Sequence, residues 1–95
     1  MHQRKAIVGA VQGLHARPAQ LFVQAAARQP VAVHIRVGDR PRVSASSILA
    51  VLTLGATQGT EVTLEAEGEG AEEALDELAA LLTNGGPPPN SGIAE

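Results

Sequence analysis

Val31-Ala32-Val33-His34-Ile35-Arg36-Val37 alternates without a fault. Successive side chains of a strand point to opposite faces. This heptapeptide therefore sends Val31, Val33, Ile35 and Val37 inward and Ala32, His34 and Arg36 outward. A strand with one polar face belongs to a sheet that is wet on one side, and such sheets are antiparallel. Whatever else the chain forms must cover the other side of that sheet.

Three further strands read less cleanly. Lys5–Val11 is short and apolar, with Ala6, Val8 and Ala10 on one face and Gly13 just past its end. Gly38-Asp39 marks a tight turn after the alternating strand, and Arg40–Ser44 returns from it. Pro41 cannot donate to a ladder, which puts this strand at a sheet edge. Glu61–Glu67 directs Val62, Leu64 and Ala66 inward and Thr63, Glu65 and Glu67 outward.

Helical spacing fills the gaps. From about Ala16 to Arg28, Ala19, Phe22, Val23 and Ala26 follow the i, i+3, i+4, i+7 rule and face the core. Leu21 falls on the wet side with Gln20 and Gln24, an apolar residue where burial does not ask for one. A brief helix runs from Ile48 to about Leu54 and stops at Gly55, with Ser47 placed as its N-cap. Its wheel has two apolar arcs, Val51 with Leu54 and Ile48 with Leu49 and Leu52. A short helix on a sheet buries only one of them, so the other is an exposed patch or is covered by something else. A third helix covers about Ala71–Leu82, apolar along Ala71, Ala74, Leu75, Leu78, Leu81 and Leu82 and acidic toward its N-terminus, as the helix dipole favours. Gly85-Gly86-Pro87-Pro88-Pro89 cannot continue it, so residues 1–83 are read as the domain and 84–95 as a flexible Gly/Pro-rich tail. The order β-α-β-β-α-β-α describes a two-layer α+β sandwich, a four-stranded antiparallel sheet with three helices on one face.

Composition narrows the function. The chain has 95 residues, one Phe, no Tyr or Trp and no Cys, so one small core of Ala, Val, Leu and Ile must suffice without disulfides. His2, His15 and His34 lack ligand spacing, so neither a metal site nor a cofactor is expected. A net charge of −3, without a basic run or a stacking set of aromatics, argues against a nucleic-acid partner. Nothing resembles a signal peptide or reaches membrane length, so a soluble cytoplasmic protein is expected.

Chemistry concentrates in Gly13-Leu14-His15-Ala16-Arg17-Pro18. Pro suits the first helical turn, where its missing N–H loses no bond. His15 then lies at the helix N-terminus, where the free N–H groups of Ala16 and Arg17 make an anion site. An imidazole, a guanidinium and two amides around one point suit a histidine that accepts a phosphoryl group. A histidine before a helix is also a common cap or surface residue, and local chemistry leaves both readings open.

Two segments resemble one family: GLHARPA at Gly13–Ala19, and VSASSILAVLTLGATQGTEVTLEAEG at Val43–Gly68. Together they make the chain, over about residues 5–82, similar to HPr, the histidine-containing phosphocarrier of the bacterial sugar phosphotransferase system. The resemblance implies an open-faced β-sandwich with sheet order 1-4-2-3. It implies a carrier rather than an enzyme, taking a phosphoryl group on Nδ1 of His15 from phosphorylated enzyme I, beside Arg17. The phosphoryl group then passes to the IIA domains of sugar permeases. Ser47 matches the serine that a dedicated kinase/phosphorylase modifies in some members. Ala16, Gln20, Leu21, Ile48, Leu49 and Leu52 match the docking surface for enzyme I and the IIA domains. Gln24 and Ala27 replace lysines of many relatives, which leaves less positive charge on that surface. A regulatory paralogue that binds proteins without relaying phosphate is the alternative, although such relatives usually lack the histidine. A monomer is expected.

Overall fold

The alternating strand belongs to a four-stranded sheet in a computed structural model that describes residues 1–84. The elements are β1 (His2–Ile7), α1 (Ala16–Ala27), β2 (Val33–Val37), β3 (Val43–Ser44), α2 (Ile48–Leu52), β4 (Glu61–Ala66) and α3 (Ala71–Asn84). The strands lie in the order β1-β4-β2-β3 and every neighbouring pair is antiparallel. This is the open-faced α+β sandwich expected from the sequence, with β3 at the edge.

Register follows from the apolar pattern. Ala6 stands opposite Val62, and Leu64 lies between Arg4 and Ile35. Val62, Leu64, Val33 and Ile35 of the sheet are buried together with Phe22, Val51, Leu75 and Leu78 of the helices. Burying each large aliphatic or aromatic side chain contributes about 1.5–3 kcal/mol. Alanines at 19, 25, 26, 71 and 74 are buried too, so the helices lie close over the sheet with Phe22 as the one aromatic filler.

Several boundaries move, each for a physical reason. The first strand was expected at Lys5–Val11 but spans His2–Ile7. Its polar start is held by β4, by the contact of His2 with Glu72 and by the ion pair of Arg4 with Asp76 on α3. It ends where the Val8 N–H turns to Thr60 O and the Gly9 N–H to Leu82 O. Val8 and Ala10 remain buried with Ala6, but Val11 is exposed. β2 begins at Val33 rather than Val31, and β3 keeps only Val43–Ser44 of the expected Arg40–Ser44. α1 ends at Ala27, with Arg28 as its C-cap. It buries Ala25 as well, while Val23 and Leu21 are half-buried. α2 ends at Leu52, and Leu54 reaches the core from beyond it. β4 ends at Ala66. α3 continues to Asn84, so Asn84, read as tail, is helical; the rest of the expected tail, 85–95, lies outside the described residues.

One expectation about exposure fails. Thr63 and Glu65 point away from the helices, yet both are 6% exposed. Gln3 and His34 flank Glu65 on the neighbouring strands. Arg36 and Arg42 reach across to it, with Nε of Arg36 at 2.9 Å and Nη1 of Arg42 at 3.2 Å. A central strand can be covered by long side chains of its neighbours even on the face without helices.

Candidate functional site

The chain between β1 and α1 is shaped by one close approach. Gly13 has φ +73°, and a Cβ there would stand 2.6 Å from Ala56 O and 2.8 Å from the Cα of Thr57. Only glycine fits, on conformation and on space. The next residue, Leu14, is buried and donates its N–H to Ala56 O at 2.9 Å. His15 follows in an extended conformation (φ −135°, ψ 171°) as the N-cap of α1. Its Cδ2 lies 3.4 Å from the position of the missing Gly13 Cβ, so the ring rests beside the floor made by Ala56 and Thr57.

Ala16 then takes φ +47°, and it is the one non-glycine with positive φ among the described residues. For an L-residue this costs about 1–2 kcal/mol, and it persists where the surroundings over-determine the backbone. Here buried Leu14 fixes one side and the helix the other. Ala19 closes the first turn by donating to His15 O at 3.2 Å. Pro18, the third helical residue, has no N–H to offer, so the open donors at the head of α1 are those of Ala16 and Arg17.

His15 is half-buried and its side chain makes no capping bond. Arg17 is exposed, and neither it nor His15 joins an ion pair among the described residues. The site thus offers an uncommitted imidazole, a guanidinium on a long stem and two amides at a helix N-terminus. That arrangement can hold a phosphoryl group on the ring, with its oxygens toward the donors.

α1 and α2 pack side by side. On α2 the Ser47 Oγ accepts from the Ala50 N–H at 3.3 Å, the N-cap read from sequence. Val51 and Leu54 are buried, whereas Leu49 is 74% exposed and Ile48 and Leu52 are partly so. Of the two arcs on the wheel, the uncovered one is therefore Ile48, Leu49 and Leu52. On α1, Gln20 is exposed, and Leu21 is half-buried rather than fully on the wet side.

The conformation of Ala16 has no signal in the sequence, because alanine ordinarily sits in the right-handed region. The Glu65 cluster was missed too. The Arg36 hydrogen bond, reinforced by Arg42, holds the Glu65 carboxyl below its ordinary value of 4.5 even though burial pushes it up. Among the described residues, no three His, Asp or Glu side chains could hold a metal ion, and no helix is long and apolar enough to cross a membrane.

The family described as PTS HPr component phosphorylation site matches residues 2–84. The phosphocarrier protein HPr of Streptomyces coelicolor is 49% identical, covering 90% of this chain and 91% of that protein. Among solved structures, HPr of Thermoanaerobacter tengcongensis superposes with a TM-score of 0.82 at 38% identity, over 90% of this chain and 94% of that one. Crh of Bacillus subtilis, a catabolite repression protein that crystallised as a dimer with a swapped domain, gives 0.70 at 43% identity over 93% of this chain and 100% of that one. With the family match spanning the sandwich and His15 standing at the open head of α1, the chain belongs to the HPr family.

Proposed function

We propose that this chain is the phosphocarrier of a bacterial sugar phosphotransferase system and that His15 is its acceptor. The observation that carries this reading is the uncommitted His15 imidazole at the N-terminus of α1, beside Arg17 and the free amides of Ala16 and Arg17. A lone pair of the ring attacks the phosphorus of phosphorylated enzyme I. The new N–P bond forms as the donor's bond to phosphorus breaks and its electron pair returns to the donor. Like nucleophiles exchange the group, so the protein needs only to position it and balance its charge. A IIA domain then takes the group from His15 by the same exchange. The chain is a carrier used once per transfer, not an enzyme, and it acts in the cytoplasm as a monomer.

Ile48, Leu49 and Leu52, with Ala16, Gln20 and Leu21, form the docking surface in this reading. Ser47 is the modifiable serine where a kinase/phosphorylase is present. The test is incubation with phosphoenolpyruvate and a bacterial enzyme I. Acid-labile phosphate should appear on the parent, on His2→Ala and on His34→Ala, and not on His15→Ala. Label that survives in His15→Ala moves the acceptor elsewhere, and an unlabelled parent points to a regulatory paralogue instead.

A further inference from the structure

The floor beside His15 is tied to the turn between β2 and β3. Arg40 stands in the turn between β2 and β3, and its Nη2 donates to the carbonyl of Leu54 at 2.6 Å. No other donor reaches that carbonyl among the described residues. Gly55 follows with φ +62°, and then Ala56, whose carbonyl takes the Leu14 N–H at 2.9 Å and faces Gly13. The guanidinium is thus linked to the His15 backbone through one short loop.

The other half of that loop is tied by its own neighbours. Thr57 N–H donates to Thr60 Oγ1 at 3.2 Å, and Gly59 N–H to Val8 O at 2.8 Å. Gln58 Nε2 reaches Gly9 O at 3.3 Å. Leu54–Ala56 lacks such local ties beyond the turn bonds of Leu54 and Gly55 to Val51 and Leu52. Leu54 and Ala56 bury their side chains in the core, and at the carbonyl of Leu54 the tie is the one charge-assisted bond from Arg40, the stronger kind of hydrogen bond.

We propose that Arg40 is a positioning residue for phosphoryl transfer at His15. By holding Leu54 O it fixes Ala56, and Ala56 fixes the Gly13–Leu14 backbone that aims the imidazole. The proposal rests on the relay reading above. Reactions between positioned groups are sensitive to small displacements, with a misplacement of about 1 Å costing up to about 100-fold. A loop released by a few tenths of an ångström should therefore slow transfer by about 5–10-fold.

The experiment compares the full chain with Arg40→Met, which keeps the stem and removes the donors, and with Arg40→Lys, which restores one donor. Single-turnover phosphorylation is measured over a range of phosphorylated enzyme I, and the proton resonance on His15 Cδ2 is recorded without enzyme I. Arg40→Met should lose about 5–10-fold in the rate at saturation with its half-saturation point unchanged. The His15 resonance should shift, and Arg40→Lys should recover most of both. Parent-like transfer with an unmoved resonance in Arg40→Met overturns the proposal. So does a loss seen only in half-saturation, or one that follows the unfolded fraction. An unlabelled parent defeats the relay reading alone, because the resonance still decides whether Arg40 positions the ring.

Discussion

Gln3 of β1, Arg36 of β2 and Arg42 beside β3 all donate to one carboxylate, that of Glu65 on β4. Every strand of the sheet is tied through this side chain on the face without helices. A buried anion is costly unless its lone pairs are used, and here three donors use them. Glu65→Gln keeps the volume but sets an amide against two arginines, and should cost on the order of 1–3 kcal/mol. Its carboxyl is held below 4.5 in the folded chain, so the unfolded chain takes the proton first as pH falls. The contribution is complete above 4.5 and drains away as pH drops through the folded value. The difference in Tm between parent and Glu65→Gln should thus be level near neutrality and narrow in acid; an unchanged difference in strong acid counts against the clasp. At this scale the placement of His15, Arg17 and Pro18 at the head of α1 was legible, because it depends only on their own helix end. The clasp was not, because alternation reports where a side chain points and not what its neighbours extend over it.

α2 shows what an element's pattern can carry. Its five residues present Val51 to the core and Leu49 to solvent, and Leu54 follows into the core. Leu54→Ala should cost about 2–5 kcal/mol as a buried truncation. Leu49→Ala should stay within about 0.5 kcal/mol while weakening capture by enzyme I. Thermal melts beside loading rates separate the two, and a large fall in Tm for Leu49→Ala would place that residue in the core. Ser47 caps the same helix, so a phosphate there adds roughly −1.5 to −2 charges at the rim of the apolar arc. Ser47→Asp should fold and load His15 more slowly; loading at the parent rate leaves the serine a cap alone. The wheel was readable because both arcs are properties of one helix. Element ends were not, since they depend on partners distant in sequence, such as the turn of Val8 toward Thr60 and the pairing of His2 with Ala66.

Across the molecule, charge is sorted away from α1 and α2. The acids of α3 include Glu72 and Asp76, which pair with His2 and Arg4, while Arg36 and Arg42 serve Glu65 on the opposite face. α1 and α2 carry only Arg17 between them. Long-range attraction to a partner should therefore be weak, and raising ionic strength should change the loading rate by no more than about 3-fold, because steering grows with facing charge. Stopped-flow loading at low and high salt measures it, and a steep decline with salt would point to charges outside these helices. Sheet order was legible only through the family resemblance, because no local pattern says that the first strand joins the last.

That joining sets a timetable. β1 pairs with β4 alone, and the loop after β1 is tied to Thr60 and to Leu82. At about 5–20 residues per second, β1 waits roughly 3–12 s during synthesis before β4 exists. Until then the ribosome holds an N-terminal ribbon with nothing to zip against, and the floor under His15 has not been made. The nascent chain gains its acceptor histidine early and its phosphate site only near the end.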